Sequence, residues 1–136
     1  MGIALLAVLA VLYFFVNYQR RTVQYTTTGL EIPDAVHAYG GRVIEITSHY
    51  IVLRALSESN YLEEDTELRI DITSNTKIVR YSLPKRVPYE AKVVEAHETP
   101  ITVADIQEGD MVEVYTDANS RGKSIFPADV IRVIEL

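Results

Sequence analysis

The sequence predicts an all-β small barrel or sandwich of roughly six or seven short antiparallel strands, preceded by one N-terminal hydrophobic α-helix. Three observations predict it. The first eighteen residues, MGIALLAVLAVLYFFVNY, are uncharged and almost wholly apolar. Beyond Gly40, short runs rich in Val, Ile and Tyr alternate with polar residues. Clusters of Ser, Asn, Asp, Gly and Pro separate those runs at the intervals of a small β domain. The chain thus divides into a hydrophobic helix over 1–21, an extended neck over 22–39 and a β domain over 40–136.

The apolar start favours helix, because Leu, Ala, Val and Phe accept it and no Pro interrupts them. Eighteen helical residues span roughly 27 Å, just short of a hydrocarbon core of about 30 Å. Tyr13 and Tyr18 stand near its far end, where amphipathic rings suit a membrane interface. A helix apolar all round must be buried in something. Its anchoring or assembling side chains are Ile3, Leu5, Leu6, Val8 and Leu9, continued by Val11, Leu12, Phe14, Phe15 and Val16. A cleaved secretory signal needs a basic n-region and a small-residue cleavage site, and neither stands here. N-myristoylation needs Ser or Thr where Leu6 stands. Two readings remain: a single-pass membrane anchor, or a helix packed against copies of itself in a filament core. Gly2, Ala4, Ala7 and Ala10 permit close helix approach.

The flanking cations, Arg20 and Arg21, follow the helix instead of preceding it. Taken literally, that order puts the domain in the cytoplasm. Alternatively, Met1 is not the translation start and a basic leader has been removed. The apolar helix with its polar exit Tyr18-Gln19-Arg20-Arg21 resembles type IV pilin-like subunits, which are made that way. Leu5 stands where bacterial pilins carry Glu, and pilin helices are longer. The resemblance implies a filament subunit that contacts copies of itself through the helix and the neck. In the neck, TVQYTTTGLEIPDAVHA, the residues Val23, Tyr25 and Thr27 favour extended structure suited to strand addition.

In the domain, Arg42 to Thr47 alternates in part, and after the Ser48-His49 turn Tyr50 to Leu56 forms the partner of a hairpin. Ser57 to Asp65 is a polar acidic loop. Glu67 to Thr73 alternates cleanly, with Leu68, Ile70 and Ile72 on one face. Lys77 to Tyr81 is a fourth strand. Pro84 and Pro88 bracket an irregular basic loop, and Glu90 to Ala96 is a short strand. Val103 to Asp110 predicts one helical turn and a tight turn at Gly109. Met111 to Tyr115 is a further strand, Asp117 to Lys123 a hairpin loop, and the last strand runs from about Ala128 to Glu135.

The opening Gly41-Arg42-Val43, the strand Thr76-Lys77-Ile78, the element Ile106-Gln107-Glu108-Gly109-Asp110-Met111-Val112 and the closing strand resemble small OB-like β-barrel domains of unknown function in bacterial envelope proteins. The resemblance covers Gly40 to Leu136. It implies a barrel fold and a location at the cell envelope or cell surface, and it carries over no catalytic residue.

Charge and chemistry narrow the function. The net charge is −6, and an acidic domain repels phosphate backbones, which excludes nucleic acid as a partner. There is no Cys, hence no disulfide, thiol nucleophile or thiolate metal site. His37, His49 and His97 lack metal-ligand spacing. Glu63-Glu64-Asp65-Glu67 lacks the spaced ligands of a calcium loop, and Asp117-Ala118-Asn119-Ser120 is a hairpin turn. No phosphate loop, nucleophile elbow or cofactor motif is present. Nine Tyr stand beside three Phe and no Trp. Tyr39, Tyr50, Tyr61, Tyr81, Tyr89 and Tyr115 either fill domain positions or form a stacking platform for a glycan or protein ligand. The expectation is a non-catalytic cell-surface structural protein with no cofactor or metal. Its helix enters a bilayer or a filament core. The alternative is a lone anchored envelope domain that binds a glycan or protein.

Overall fold

The computed structural model describes residues 7–12, 23–84, 89–90 and 96–135. Eight strands follow one another: β1 (Ala38–Ile46), β2 (Tyr50–Ala55), β3 (Thr66–Asp71), β4 (Lys77–Ser82), β5 (His97–Pro100), β6 (Met111–Tyr115), β7 (Ile125–Pro127) and β8 (Val130–Glu135). They form a single sheet in the order β5-β4-β8-β6-β1-β2-β3-β7.

Besides the count of eight strands among the described residues, two features correct the expected antiparallel barrel or sandwich of six or seven strands. The sheet is mixed: β3 pairs with β7, and β4 with β8, in parallel. It is also open, because its end strands β5 and β7 pair with one neighbour each. The cause is the position of β8. It inserts between β6 and β4, so the last strand occupies the middle of the sheet and does not close it. The strand expected over 90–96 falls largely on residues outside those described. The adjoining β5 consists of four exposed residues, HETP, whose pattern carries no burial signal.

The sheet curls strongly nonetheless. β7 stands three strands away from β1, about 14 Å in a flat sheet. Yet the rings of Tyr39 on β1 and Phe126 on β7 lie 5.5 Å apart between centroids. The link Ala128-Asp129 draws the β7 edge toward the other strands. Ala128 N–H donates to Asp71 O, Asp129 N–H to Tyr115 O, and Lys77 N–H to Asp129 O.

Alternation along the strands sends one set of side chains into the enclosed face. Val43, Leu53 and Leu68 form one cross-strand row, and Ile46, Ile51, Ile70 and Phe126 the next. Ile131, Val114 and Tyr39 form a third. All belong to one core cluster, with Ile46 at its partly buried margin. The partial alternation of β1 has a local cause. A bulge at Ile44 shifts the register between Val43 and Glu45, so Ile44 faces solvent while Val43 and Ile46 still point inward.

Residues 101–106 cover one side of this core. Thr102 N–H and its hydroxyl donate to the Asp105 carboxylate, capping the 3₁₀ turn Val103–Asp105 and seating buried Ile106. Gly109 then takes φ +90, and its N–H donates to Val43 O while Asp110 O accepts from Val43 N–H. The turn expected at Gly109 is therefore the point where the chain hooks onto β1.

Residues 24–36 also fold onto the sheet. Tyr25 bridges Glu31 across a turn at Gly29, and Ile32 and Val36 enter the core. Asn119 and Ser120 hold this segment: Asn119 Oδ1 accepts from Val36 N–H, and Ser120 Oγ donates to Val36 O.

Candidate binding groove

β1 is longer than β2, and their pairing starts at Arg42 and Arg54. Among the described residues, 38–41 of β1 therefore have a strand partner on the β6 side alone. On the vacant side the 56–61 loop folds over, and Asn60 reaches in. Its Oδ1 accepts from Gly40 N–H at 2.8 Å, and its Nδ2 donates to Gly40 O at 2.9 Å and to Leu56 O at 2.9 Å. Asn60 thereby replaces the missing strand at Gly40 and fixes the loop.

A groove crosses the solvent face at this gap. One hollow of about 420 Å³ is lined by Leu30, Ala38, Glu58, Tyr61, Glu113 and Tyr115 among others. A second of about 440 Å³ is lined by Arg42, Arg54, Leu56, Met111 and Ile134 among others. Gly40, Ser59 and Glu113 belong to both, so the two hollows adjoin. The floor is bare at Gly40, where an added Cβ would meet only Val112 O at 3.7 Å. Gly41 differs: its Cβ would lie 2.5 Å from Arg54 O, so strand pairing itself requires glycine there.

Charge is ordered along the groove. Between the two ends, beside Gly40, Glu113 accepts from Tyr115 Oη at 2.6 Å, and Arg132 lies 3.6 Å away. That hydrogen bond, with burial and the Glu113 charge, pushes the Tyr115 phenol above its ordinary range. Arg132 also pairs with Glu98 at 3.1 Å and stacks on Tyr81 and Tyr115 at 4.9 and 5.3 Å. Its Nε is buried and has no partner among the described residues. At one end, Arg42 and Arg54 are direct cross-strand partners. Arg42 donates to Gly109 O, and neither arginine closes an ion pair with a described carboxylate, although Glu67 faces Arg54 from β3.

The tyrosines separate into distinct groups. Tyr39 is buried and its hydroxyl donates to Ser120 O; burial raises its phenol, and the Ser120 side chain opposes that rise. Tyr50 carries Arg69 over its ring at 4.1 Å. Tyr61 is 48% exposed beside the groove, and Tyr89 is fully exposed elsewhere.

Of the helix positions singled out in the sequence, Val8, Leu9, Val11 and Leu12 lie in the helical residues 7–12. Ile3, Leu5, Leu6, Phe14, Phe15 and Val16 lie outside the described residues. Among the described residues, no helix is long and apolar enough to cross a membrane. In the neck, Val23 is exposed, Tyr25 is paired with Glu31, and Thr27 Oγ1 lies 2.7 Å from Ser57 Oγ.

The polar candidates do not converge. His37 Nδ1 lies 3.1 Å from Thr116 O, His49 sits in the β1–β2 turn, and His97 starts β5. Among the described residues, no group of three or more His, Asp or Glu is placed to hold a metal ion. Asp65, from the acidic loop, is a structural acceptor. It takes the Ser57 N–H at 2.8 Å and the Ser57 hydroxyl at 3.0 Å. These bonds, the backbone one foremost, hold its carboxyl below the usual carboxylate range, with Arg54 assisting and burial opposing. A depressed folded value adds stability above the unfolded pKa, and that stability is lost as pH falls through the folded value. Asp65→Asn is therefore expected to flatten the acid limb of stability below about pH 4. Urea midpoints across an acidic pH series check this, and parallel curves for both proteins would refute it.

Gly40, Arg42, Arg54, Asn60 and Glu113 were not legible as a site in the sequence. The available signal was the every-second-residue set Ala38, Gly40 and Arg42, which shares one face of β1.

The class defined by this geometry is a curled, open, mixed β-sheet domain with a groove at a strand gap. No family model, curated protein or solved structure matches the chain.

Proposed function

We propose that this chain is a non-catalytic structural protein of the cell envelope. Its apolar N-terminal helix is buried in a lipid bilayer or against copies of itself, and its acidic β domain is displayed to the surroundings. The observation that carries this reading is the exposure of the helical residues. Val8, Leu9, Val11 and Leu12 are 57%, 55%, 68% and 53% exposed, and none joins the core cluster. Four large apolar side chains on one short helical stretch cost free energy in water, at about 25 cal/mol per Å² of apolar surface. The domain has its own core and does not cover them, which supports their burial in another apolar medium.

The filament version, with a pilin-like subunit, uses the helix for self-association. Strand addition by the neck receives less support, because Tyr25 is already paired with Glu31 and Thr27 sits against Ser57. The domain's own task, contact with a glycan or protein ligand, draws on the groove across Gly40.

The test compares the full chain with a chain starting at Val23. The full chain is expected in the membrane pellet after an alkaline carbonate wash, or in sheared filaments seen by electron microscopy. The shortened chain is expected in the supernatant. A full chain recovered as a soluble monomer would overturn the proposal.

A further inference from the structure

Arg42 and Arg54 stand directly opposite each other on neighbouring strands. Like charges in that position destabilise a sheet. The chain carries a net charge of −6, and Glu67 and Asp65 lie near Arg54, yet no described carboxylate closes an ion pair with either arginine. The pair borders a groove whose floor is a glycine that the fold does not require. Gly40 has no positive φ, and a Cβ there would meet nothing closer than 3.7 Å. A side chain at this position would fill the groove.

We propose that the groove binds an acidic saccharide: a carboxylate-bearing sugar joined to a neutral one. The carboxylate sits at Arg42 and Arg54, which supply charge-assisted hydrogen bonds and lose their mutual repulsion. A pyranose ring lies over the bare floor at Gly40. The neutral sugar reaches the opposite end, where Tyr61 offers a ring face to its C–H groups and Glu58 and Glu113 accept its hydroxyl protons. From Ala38 to Arg42 the floor runs about 13 Å, enough for a short oligosaccharide.

The charge order favours this direction, because a carboxylate at the tyrosine end would meet Glu58, whereas Glu113 borders both hollows and is already engaged by Tyr115 and Arg132. The hydrogen bonds argue against an extended peptide. Strand addition needs free backbone donors and acceptors on the floor, and Asn60 already engages both Gly40 N–H and Gly40 O. Recognition there has to come from side chains.

The inference extends the ligand-binding part of the proposed function and does not depend on where the helix is buried. Binding tests the groove, and fractionation tests the helix, so the two fail separately.

The experiment uses the isotope-labelled full chain in detergent micelles. Amide shifts are followed while N-acetylglucosaminyl-N-acetylmuramic acid or a hyaluronan tetrasaccharide is added. Chitotetraose serves as the neutral sugar, sodium phosphate as the free anion, and an acidic hexapeptide as the peptide. The expected result is saturable shifts at Gly40, Arg54 and Asn60 with at least one acidic sugar. Chitotetraose and the variant Arg54→Gln should each weaken binding at least ~10-fold, the loss of one charge-assisted contact. Gly40→Val should abolish binding while circular dichroism and melting show a folded domain. Three results would overturn the proposal: no response to either acidic sugar, an equal response to chitotetraose, phosphate or peptide, or undiminished binding by folded Gly40→Val.

Discussion

Leu53→Ala is expected to cost about 2–5 kcal/mol of folding free energy, a melting shift on the order of 10 °C or more. Leu53 is fully buried at the centre of the row Val43–Leu53–Leu68. Its strand is bonded on both sides, to β1 and to β3. That bonding prevents the backbone from relaxing into the void, so the cavity stays open and the cost falls toward the upper end of the range. The neighbouring Val52 points to the other face and is only partly buried. Val52→Ala should cost less than about 1.5 kcal/mol, as a partial loss of apolar burial. Urea titrations of the two variants, with unchanged slopes, decide the matter. Equal losses would mean that the enclosed face has been misassigned.

Gly41→Ala carries the second large effect, about 1–3 kcal/mol of destabilisation. The reason is contact, because the φ of Gly41 is not in the left-handed region. An added Cβ would meet the Arg54 carbonyl at 2.5 Å and its carbon at 3.0 Å, both backbone atoms of the paired strand. No rotamer change relieves that approach, so β1 and β2 would have to part at the first rung of their ladder. Gly40→Ala is the internal control. Its Cβ enters open space, and the lost glycine entropy makes it neutral or stabilising by up to about 1 kcal/mol. Thermal melts of both variants are the measurement. If Gly40→Ala proved the more damaging change, the assignment of the two glycines would be reversed.

Those two glycines mark the boundary of what was legible. A strand with clean alternation, such as β3, can be read directly, because the period of two is imposed by the pleat, and β2 and β6 can be read as apolar, β-branched runs bounded by turn signals. The turn at Gly109 was equally open to reading. β7 was not: three residues ending in Pro127 carry no period, and the strand exists because β3 offers it a parallel edge. Barrel closure was also beyond reach, since it depends on which distant edges meet. The Arg42–Arg54 juxtaposition required the register on both sides of the bulge at Ile44, where a slip of one residue exchanges the faces. Asn60 looked like an ordinary loop residue because its partner, Gly40, lies twenty residues earlier in the chain.

The place of β8 in the sheet sets the order in which the molecule can be made. β8, which follows the other described strands in sequence, fills a slot between β6 and β4, and Val36, which precedes them, is held by Asn119 and Ser120. The hairpins β1–β2 and β2–β3 can form early, from local contacts. Until β8 arrives, however, facing edges of β4 and β6 remain unpaired and able to capture other chains. Folding of this domain is thus a late, nearly all-at-once event. The nascent chain needs protection from its own half-built sheet until β8 has been made.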